Sequence, residues 1–400
     1  MGKKIMIVGA NFDDKGSQAK LFIVIDKLRQ RYNDCEFFYA HNGEQFEDSY
    51  YRFSKILYTK KVQSQVLKAN PLSNITKIFQ KKDNTISTDA TDIIPKMDLI
   101  IDVSDHALSA ESSMADVEFY LDNIRLAKKY KIPIILMPQS FGPFNFNRDN
   151  MYILGDMKDL LFYPKAIYAR EKFGYDEMMG YFGLDNIRRS TDMLLINEEI
   201  VLTNVLTRFY RPQVPEITED NNVAVIPNAI CFGKKNYEHS MDMYQKLFEA
   251  LRNANKNVYI FAQALSDMET CKELYNSYAN FGNLHLIDKE MDSIELNMIM
   301  KKFEVVISSR YLACVQAYKN FIPVLLLGTG VRYKELAELL GQENLFFDVL
   351  SEDCNNFDVL DALNGLLRDE DVAKTRIQTR MLNIQTKSCF DVFDEIKWKN

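Results

Sequence analysis

Short apolar runs rich in β-branched residues alternate with amphipathic stretches along most of this chain. The first run, at 5–9, precedes a stretch at 16–31 that sets Leu21, Val24, Ile25 and Leu28 on one helical face. Another short run lies at 36–39. The segment 44–95 is rich in Lys, Asn and Ser and reads as helical fragments and loops. Regular alternation resumes with a strand pattern at 98–103, a helix at 115–130 and a strand at 132–137. A helix near 151–161, a strand at 166–169 and a helix over 171–182 follow. A second series opens at 223–227 and continues with a helix near 240–253. It has strands at 258–263, 284–287, 305–308 and 324–328, interleaved with helices over 268–279, 294–302, 311–319 and 333–340. Strands separated by helices in this way mean parallel sheets with crossover connections.

The polar stretch 197–222, with Pro212 and Pro215, separates the two series. The pattern therefore predicts an α/β domain over 1–200, a linker over 201–222 and a second α/β domain over 223–370. A helical tail over 371–400 is expected to pack back onto the first domain. An internal echo relates the two halves. Ala127-Lys-Lys-Tyr-Lys-Ile132-Pro133-Ile-Ile-Leu-Met137 parallels Ala317-Tyr-Lys-Asn-Phe-Ile322-Pro323-Val-Leu-Leu-Leu327. In both, a helix ends in polar residues and Ile-Pro opens an apolar strand, where the first position need not donate a hydrogen bond.

Composition narrows the classes. Four hundred residues exceed what one hydrophobic core usually serves, and 47% apolar content is incompatible with a largely disordered chain. A net charge of −7, from 49 basic and 56 acidic residues, argues against bulk nucleic-acid binding. Six scattered cysteines without a C-x-x-C pair read as reduced cytosolic thiols, and four dispersed histidines give no metal-site spacing. The apolar run after Lys3 and Lys4 ends at Asn11, too short for a signal core. No window approaches the roughly 20 apolar residues that span a bilayer. The expected setting is cytoplasmic, and the Asn74-Ile75-Thr76 sequon has no role there.

Ligands of open parallel sheets bind beyond the carboxyl ends of the strands. After the first strand, Gly9-Ala-Asn11-Phe-Asp13-Asp14-Lys15-Gly16 offers backbone N–H groups to an anion, or is a plain strand-to-helix turn. It is neither G-x-G-x-x-G nor a Walker loop. Ser104-Asp105-His106 follows a later strand, and His106 there is either a catalyst or a hydrogen-bonded loop residue. Arg170 with Lys172, and Arg310 after Ser308-Ser309, put cations at helix starts, where they oppose the helix dipole by about 0.3–1 kcal/mol. An anion between them relieves this, whether a phosphate or carboxylate ligand or a neighbouring acid. Gly328-Thr-Gly330-Val-Arg332 repeats the theme.

Taken in order, several segments resemble the polysaccharide pyruvyl transferase family. They are Gly9-Ala-Asn11…Lys15-Gly16-Ser-Gln-Ala19, Met137-Pro138-Gln139-Ser140-Phe141-Gly142-Pro143, Ala169-Arg170-Glu171-Lys172 and Ser190-Thr191-Asp192. Ile226-Pro227-Asn228, Ser308-Ser309-Arg310-Tyr311 and Gly328-Thr-Gly330-Val-Arg-Tyr333-Lys334-Glu335-Leu336 complete the set.

The resemblance implies two Rossmann-like domains in a GT-B-like arrangement, with the acceptor side in the first domain and the donor side in the second. It implies transfer of pyruvate from phosphoenolpyruvate, a co-substrate rather than a cofactor, to a saccharide or lipid-linked saccharide acceptor. The product is a ketal on an exopolysaccharide or capsule precursor, a setting that allows peripheral association with the inner membrane face. No nucleic acid, cofactor or metal is expected. Arg310 and His106 are the expected catalytic groups. Asn11, Lys15, Gln139, Ser140, Arg170, Lys172, Asn228, Ser309, Gly328, Gly330 and Arg332, together with Arg310 again, are the expected binding residues.

Two departures stand out. The family places histidine, its favoured acid, two positions after the arginine, where this chain has Leu312. It also tends to have glycine in the loop that here reads Asp105-His106. Two other readings stay open: a nucleotide-sugar transferase on the same scaffold, and a non-catalytic binding or assembly protein of polysaccharide synthesis.

Overall fold

A computed structural model describes residues 2–69, 90–197, 199–218, 220–384 and 388–398. It contains two wholly parallel sheets. The first has the order β3-β2-β1-β4-β5-β6-β7, formed by Ser54–Leu57, Cys35–His41, Lys3–Val8, Leu99–Asp102, Ile134–Gln139, Ala166–Ala169 and Ile187–Arg189. The second has the order β10-β9-β8-β11-β12, formed by Leu284–Ile287, Asn257–Phe261, Asn222–Ile226, Val305–Ser308 and Val324–Leu326. Central strands such as β4 and β11 are buried along their whole length, as strands covered by helices on both faces must be.

The echo between the halves is structural. Lys131 and Phe321 both adopt left-handed conformations, with φ 55° and 60°, one and two residues after a helix. In each case the next isoleucine N–H bonds back to the helix, Ile132 to the Ala127 carbonyl at 2.9 Å and Ile322 to the Ala317 carbonyl at 3.0 Å. The proline after it then accepts from the neighbouring strand, Ile100 N–H to Pro133 O at 2.9 Å and Val306 N–H to Pro323 O at 3.1 Å. The two domains thus turn helix into strand by the same device.

The described residues of the segment 44–95 form the expected helical fragments and, in addition, a strand that the pattern did not show. It holds β3 and the helix Lys60–Lys68. The portion at 70–89, including the Asn74 sequon, lies outside the described residues, as do parts of the tail at 385–387 and 399–400. Within the tail, helix Glu370–Ile384 packs on helix Val331–Leu340. Residues after it return to the first domain, where Glu395 takes both Arg188 nitrogens at 2.9 and 3.0 Å and Tyr32 donates to the Phe393 carbonyl at 2.6 Å.

Helix Lys15–Arg31 positions the site. It buries Leu21, Val24, Ile25 and Leu28 completely, and also Phe22, Ile23 and even Lys20, because it lies between the domains. It packs on helices Ser293–Met300 and Tyr311–Lys319 of the second domain. One apolar cluster accordingly runs from Ile5 and Leu21 through Tyr311 and Leu312 to Phe261, joining the inner faces of both sheets. Backbone bonds add to the join: Lys15 N–H reaches the Gln263 carbonyl at 3.1 Å, and Leu265 N–H the Asp13 carbonyl at 2.9 Å. At the closest point a Cβ on Gly16 would lie 2.4 Å from the Leu312 Cβ and from Gln263 Nε2. Gly16→Ala is therefore expected to push the domains apart and destabilise the protein by about 1–3 kcal/mol, measured as a lower unfolding midpoint in urea.

Candidate functional site

The carboxyl ends of both sheets meet at the domain boundary, and the loops after β4, β5, β6, β11 and β12 supply most of the expected residues. At their centre is Asp105, in the loop after β4. Its Oδ1 accepts from Lys20 Nζ and Arg170 Nη1, both at 2.7 Å, and its Oδ2 from Arg332 Nη1 at 3.2 Å. Burial pushes this carboxyl up, but Arg170, Lys20 and Arg332 together hold it well below the usual carboxylate range.

Arg170, 5% exposed, is fully engaged. Besides Asp105 it donates from Nε to Glu171 at 2.7 Å, from Nη1 to Asp192 at 2.7 Å and from Nη2 to Ser140 Oγ at 2.6 Å. Its guanidinium lies over the Tyr311 ring of the second domain, 4.1 Å from the centroid. Of the two sources of anion left open for Arg170, the neighbouring acid is the one realised.

The same holds around the rest of the site. Arg310 forks onto Asp267, Nε to Oδ2 at 2.5 Å and Nη2 to Oδ1 at 2.6 Å, and leaves only Nη1 directed toward Asp14, 4.0 Å away. The start of helix Lys172–Phe182 is occupied by Glu335 from the second domain, which accepts from the backbone N–H groups of Lys172 at 2.6 Å and Phe173 at 2.8 Å. Lys172 itself is exposed and turns back to Asp176. Lys15 is buried, with Nζ between the Phe12 carbonyl at 2.7 Å and Glu290 at 2.5 Å. Gly330, with φ 77° and ψ −179°, sits in a region that only glycine tolerates, and its N–H donates to Asp348 at 3.1 Å.

The remaining residues shape loops. Asn11 is exposed and accepts the Asp13 N–H at 2.7 Å. The Asn228 side chain accepts from the Ile230 N–H at 3.1 Å, while its own N–H donates to Ser309 Oγ at 2.7 Å. Gly328 lets the Tyr333 ring approach to where a Cβ would lie 2.0 Å from it. Gln139 is buried, and its Oε1 has no hydrogen-bond partner among the described residues.

His106 does not suit the role of proton donor expected of it. Its Nε2 lies 2.8 Å from the Gly142 carbonyl, which can only accept, so the ring proton is fixed there. Burial, and then Arg332, lowers its pKa, so the ring is neutral near pH 7.

Asp14 has the better placement, and it was missed because its sequence context is that of a helix cap. It is one: Oδ1 accepts from the Gly16 N–H at 2.9 Å and the Ser17 N–H at 3.1 Å. Oδ2 nevertheless looks across the domain boundary at Arg310. Burial raises its carboxyl above the usual range, against the pull of Arg310. Gln263 Nε2, 3.4 Å from Asp14 Oδ1, also lies at the contact between Gly16 and Leu312, so Asp14 stands beside position 312.

The sequence profile of the family described as polysaccharide pyruvyl transferase matches residues 15–330. The chain belongs to the polysaccharide pyruvyl transferase family. No curated protein matches it as a sequence relative. Among solved structures, Methanocaldococcus jannaschii UDP-GlcNAc 2-epimerase in complex with UDP-GlcNAc and UDP aligns with a TM-score of 0.54 at 12% identity, over 92% of this chain and 93% of that one. Medicago truncatula UGT71G1 complexed with UDP-glucose aligns with a TM-score of 0.56 at 10% identity, over 98% of both chains. UDP-GlcNAc 2-epimerase from Neisseria meningitidis aligns at 0.54 and 10% identity, again over 98% of both. At such identities the likeness shows the fold alone: two Rossmann-like domains in the GT-B arrangement.

Within this pyruvyl transferase scaffold Lys20, Arg170 and Arg332 from both domains meet at Asp105, and Arg310 is answered by Asp267. Among the described residues no group of three or more metal-binding side chains occurs, and no helix is long and apolar enough to cross a membrane. Asp105→Asn would leave Lys20, Arg170 and Arg332 short of their shared counter-charge. It is expected to cost about 3 kcal/mol in urea unfolding, part of which added inorganic phosphate should restore by binding the freed cations.

Proposed function

We propose that this protein transfers the pyruvyl group of phosphoenolpyruvate to two hydroxyls of one sugar in a saccharide or lipid-linked saccharide, as a ketal, on the cytoplasmic side of polysaccharide synthesis. Family membership supports the reaction class. The observation that carries the proposal is the pairing across the cleft of Arg310, whose Nη1 makes no hydrogen bond among the described residues, and Asp14, a part-exposed carboxyl with a raised pKa. Phosphoenolpyruvate needs a cation for its phosphate or carboxylate and an acid for its methylene carbon, and this pair supplies one of each.

In this scheme Asp14 protonates the methylene carbon, and the resulting cationic centre is attacked by one sugar hydroxyl. The second hydroxyl displaces phosphate as the ketal closes. Of the two hydroxyl protons released, one returns to Asp14 and the other leaves with phosphate, so atoms and charge balance. Leu312, 5% exposed and packed on Gly16, takes no part.

A second reading is favoured by that same leucine and by the internal pairing of the cations: a member that binds saccharide without transfer. The UDP ligands named for the structural neighbours make nucleotide sugars the comparison ligands.

Calorimetry should show phosphoenolpyruvate binding in preference to UDP-glucose, with Arg310→Ala costing about 1.5–3 kcal/mol. Asp14→Asn keeps the cap and should leave binding within twofold while abolishing phosphate release in the presence of acceptor. The wild-type rate should fall as pH rises through the Asp14 pKa, because only the protonated acid donates. Binding without turnover, with turnover gained by Leu312→His, would establish the second reading.

A further inference from the structure

A cavity of about 480 Å³ lies beside the Arg170 network, between the loop after β7, helix Val331–Leu340 and helix Glu370–Ile384. That volume is in the range of small-molecule sites. Its lining carries three carboxylates, and each is already used. Glu171 takes Arg170 Nε at 2.7 Å and Ser140 Oγ at 3.0 Å. Asp192 takes Arg170 Nη1 at 2.7 Å and the Leu194 N–H at 2.8 Å. Glu335 takes the two N–H groups at the start of helix Lys172–Phe182.

Two further lining guanidiniums, Arg189 and Arg380, have no hydrogen bond or ion pair among the described residues. They come from separate elements, the end of β7 and the tail helix, yet open onto one space. Asn383 and Ile384 follow Arg380 by three and four residues, so all three share one face of the tail helix. With Thr191 and Leu339, the lining offers two unpaired cations, polar groups and an apolar wall. It contrasts with the Arg310 side of the cleft, where most guanidinium nitrogens are already bonded.

We propose that this cavity binds the phosphate groups of a phosphorylated saccharide, gripped between Arg189 and Arg380 with its sugar against Leu339 and Ile384. Two guanidiniums that line one cavity without an ion-pair partner among the described residues suit a phosphate or diphosphate, whose oxygens accept both forks. The assignment rests on the pyruvyl transfer reading in one respect: it makes this cavity the acceptor subsite and leaves the donor to Arg310. Both a soluble sugar phosphate and a lipid-linked sugar diphosphate carry the required chemistry.

The test is calorimetry of the full chain with inorganic pyrophosphate and with glucose 1-phosphate. Wild type should bind both. Arg189→Gln and Arg380→Gln should each weaken binding about tenfold, and the double variant should abolish it, with unfolding midpoints unchanged because both side chains are exposed. If wild type binds neither probe, or the double variant binds as tightly as wild type, the proposal is overturned. Pyrophosphate binding that depends on Arg380 in a protein that ignores phosphoenolpyruvate would sink the donor reading and leave this subsite standing. Tighter binding of a prenyl-diphosphate-linked glucose than of glucose 1-phosphate would mark the lipid-linked acceptor as the source, and equal binding the soluble one.

Discussion

Three cations from two domains share one carboxylate, and the arrangement of the whole cleft follows from that. Lys20 belongs to the interdomain helix, Arg170 to the end of β6 and Arg332 to the second domain, and all meet at Asp105. Lys20 is entirely shielded from solvent and Arg170 nearly so, so neither can be left uncompensated in a medium of low polarity. The carboxylate sets the distance between the domains at this point, and Tyr311, stacked beneath Arg170, fixes the height at which the second domain docks.

The consequence is a cleft whose electrostatics are largely balanced from within. Asp267 answers Arg310, Glu335 answers a helix start, Asp348 answers the Gly330 N–H and Glu290 answers Lys15. An incoming anion has to compete with these partners or use the donors they leave over. That is a stricter requirement than an open basic pocket imposes, and it favours ligands able to occupy several leftover donors at once.

Much of the architecture was legible in the pattern of residues, because buried parallel strands are unbroken apolar runs: β4, β5, β11 and β12 are unmistakable. The edge strands of the first sheet were not. In β3 only Ile56 is buried, and β7 is an isoleucine followed by two exposed arginines, so neither shows an apolar run. At the site, the cations were legible from their places after strands and at helix starts. The reasoning that an anion must sit there was sound, but the anions proved internal. Asp105 lies 65 residues from Arg170, Asp267 43 from Arg310 and Glu335 163 from Lys172, and no local pattern encodes such pairings. Asp14 illustrates the converse. Its local role as a cap was visible, and its second role exists only because the other domain brings Arg310 to it.

The contact of Glu335 with the first turn of helix Lys172–Phe182 links secondary structure to large-scale motion. The N-cap residue of that helix, Glu171, makes no side-chain capping bond, so the cap is lent by the opposite domain. Hinge opening that carries Glu335 away strips the helix of its acceptors, and its first turn then frays into water. Amide hydrogen exchange at Lys172 and Phe173 is thus a local gauge of how often the two halves of the molecule separate.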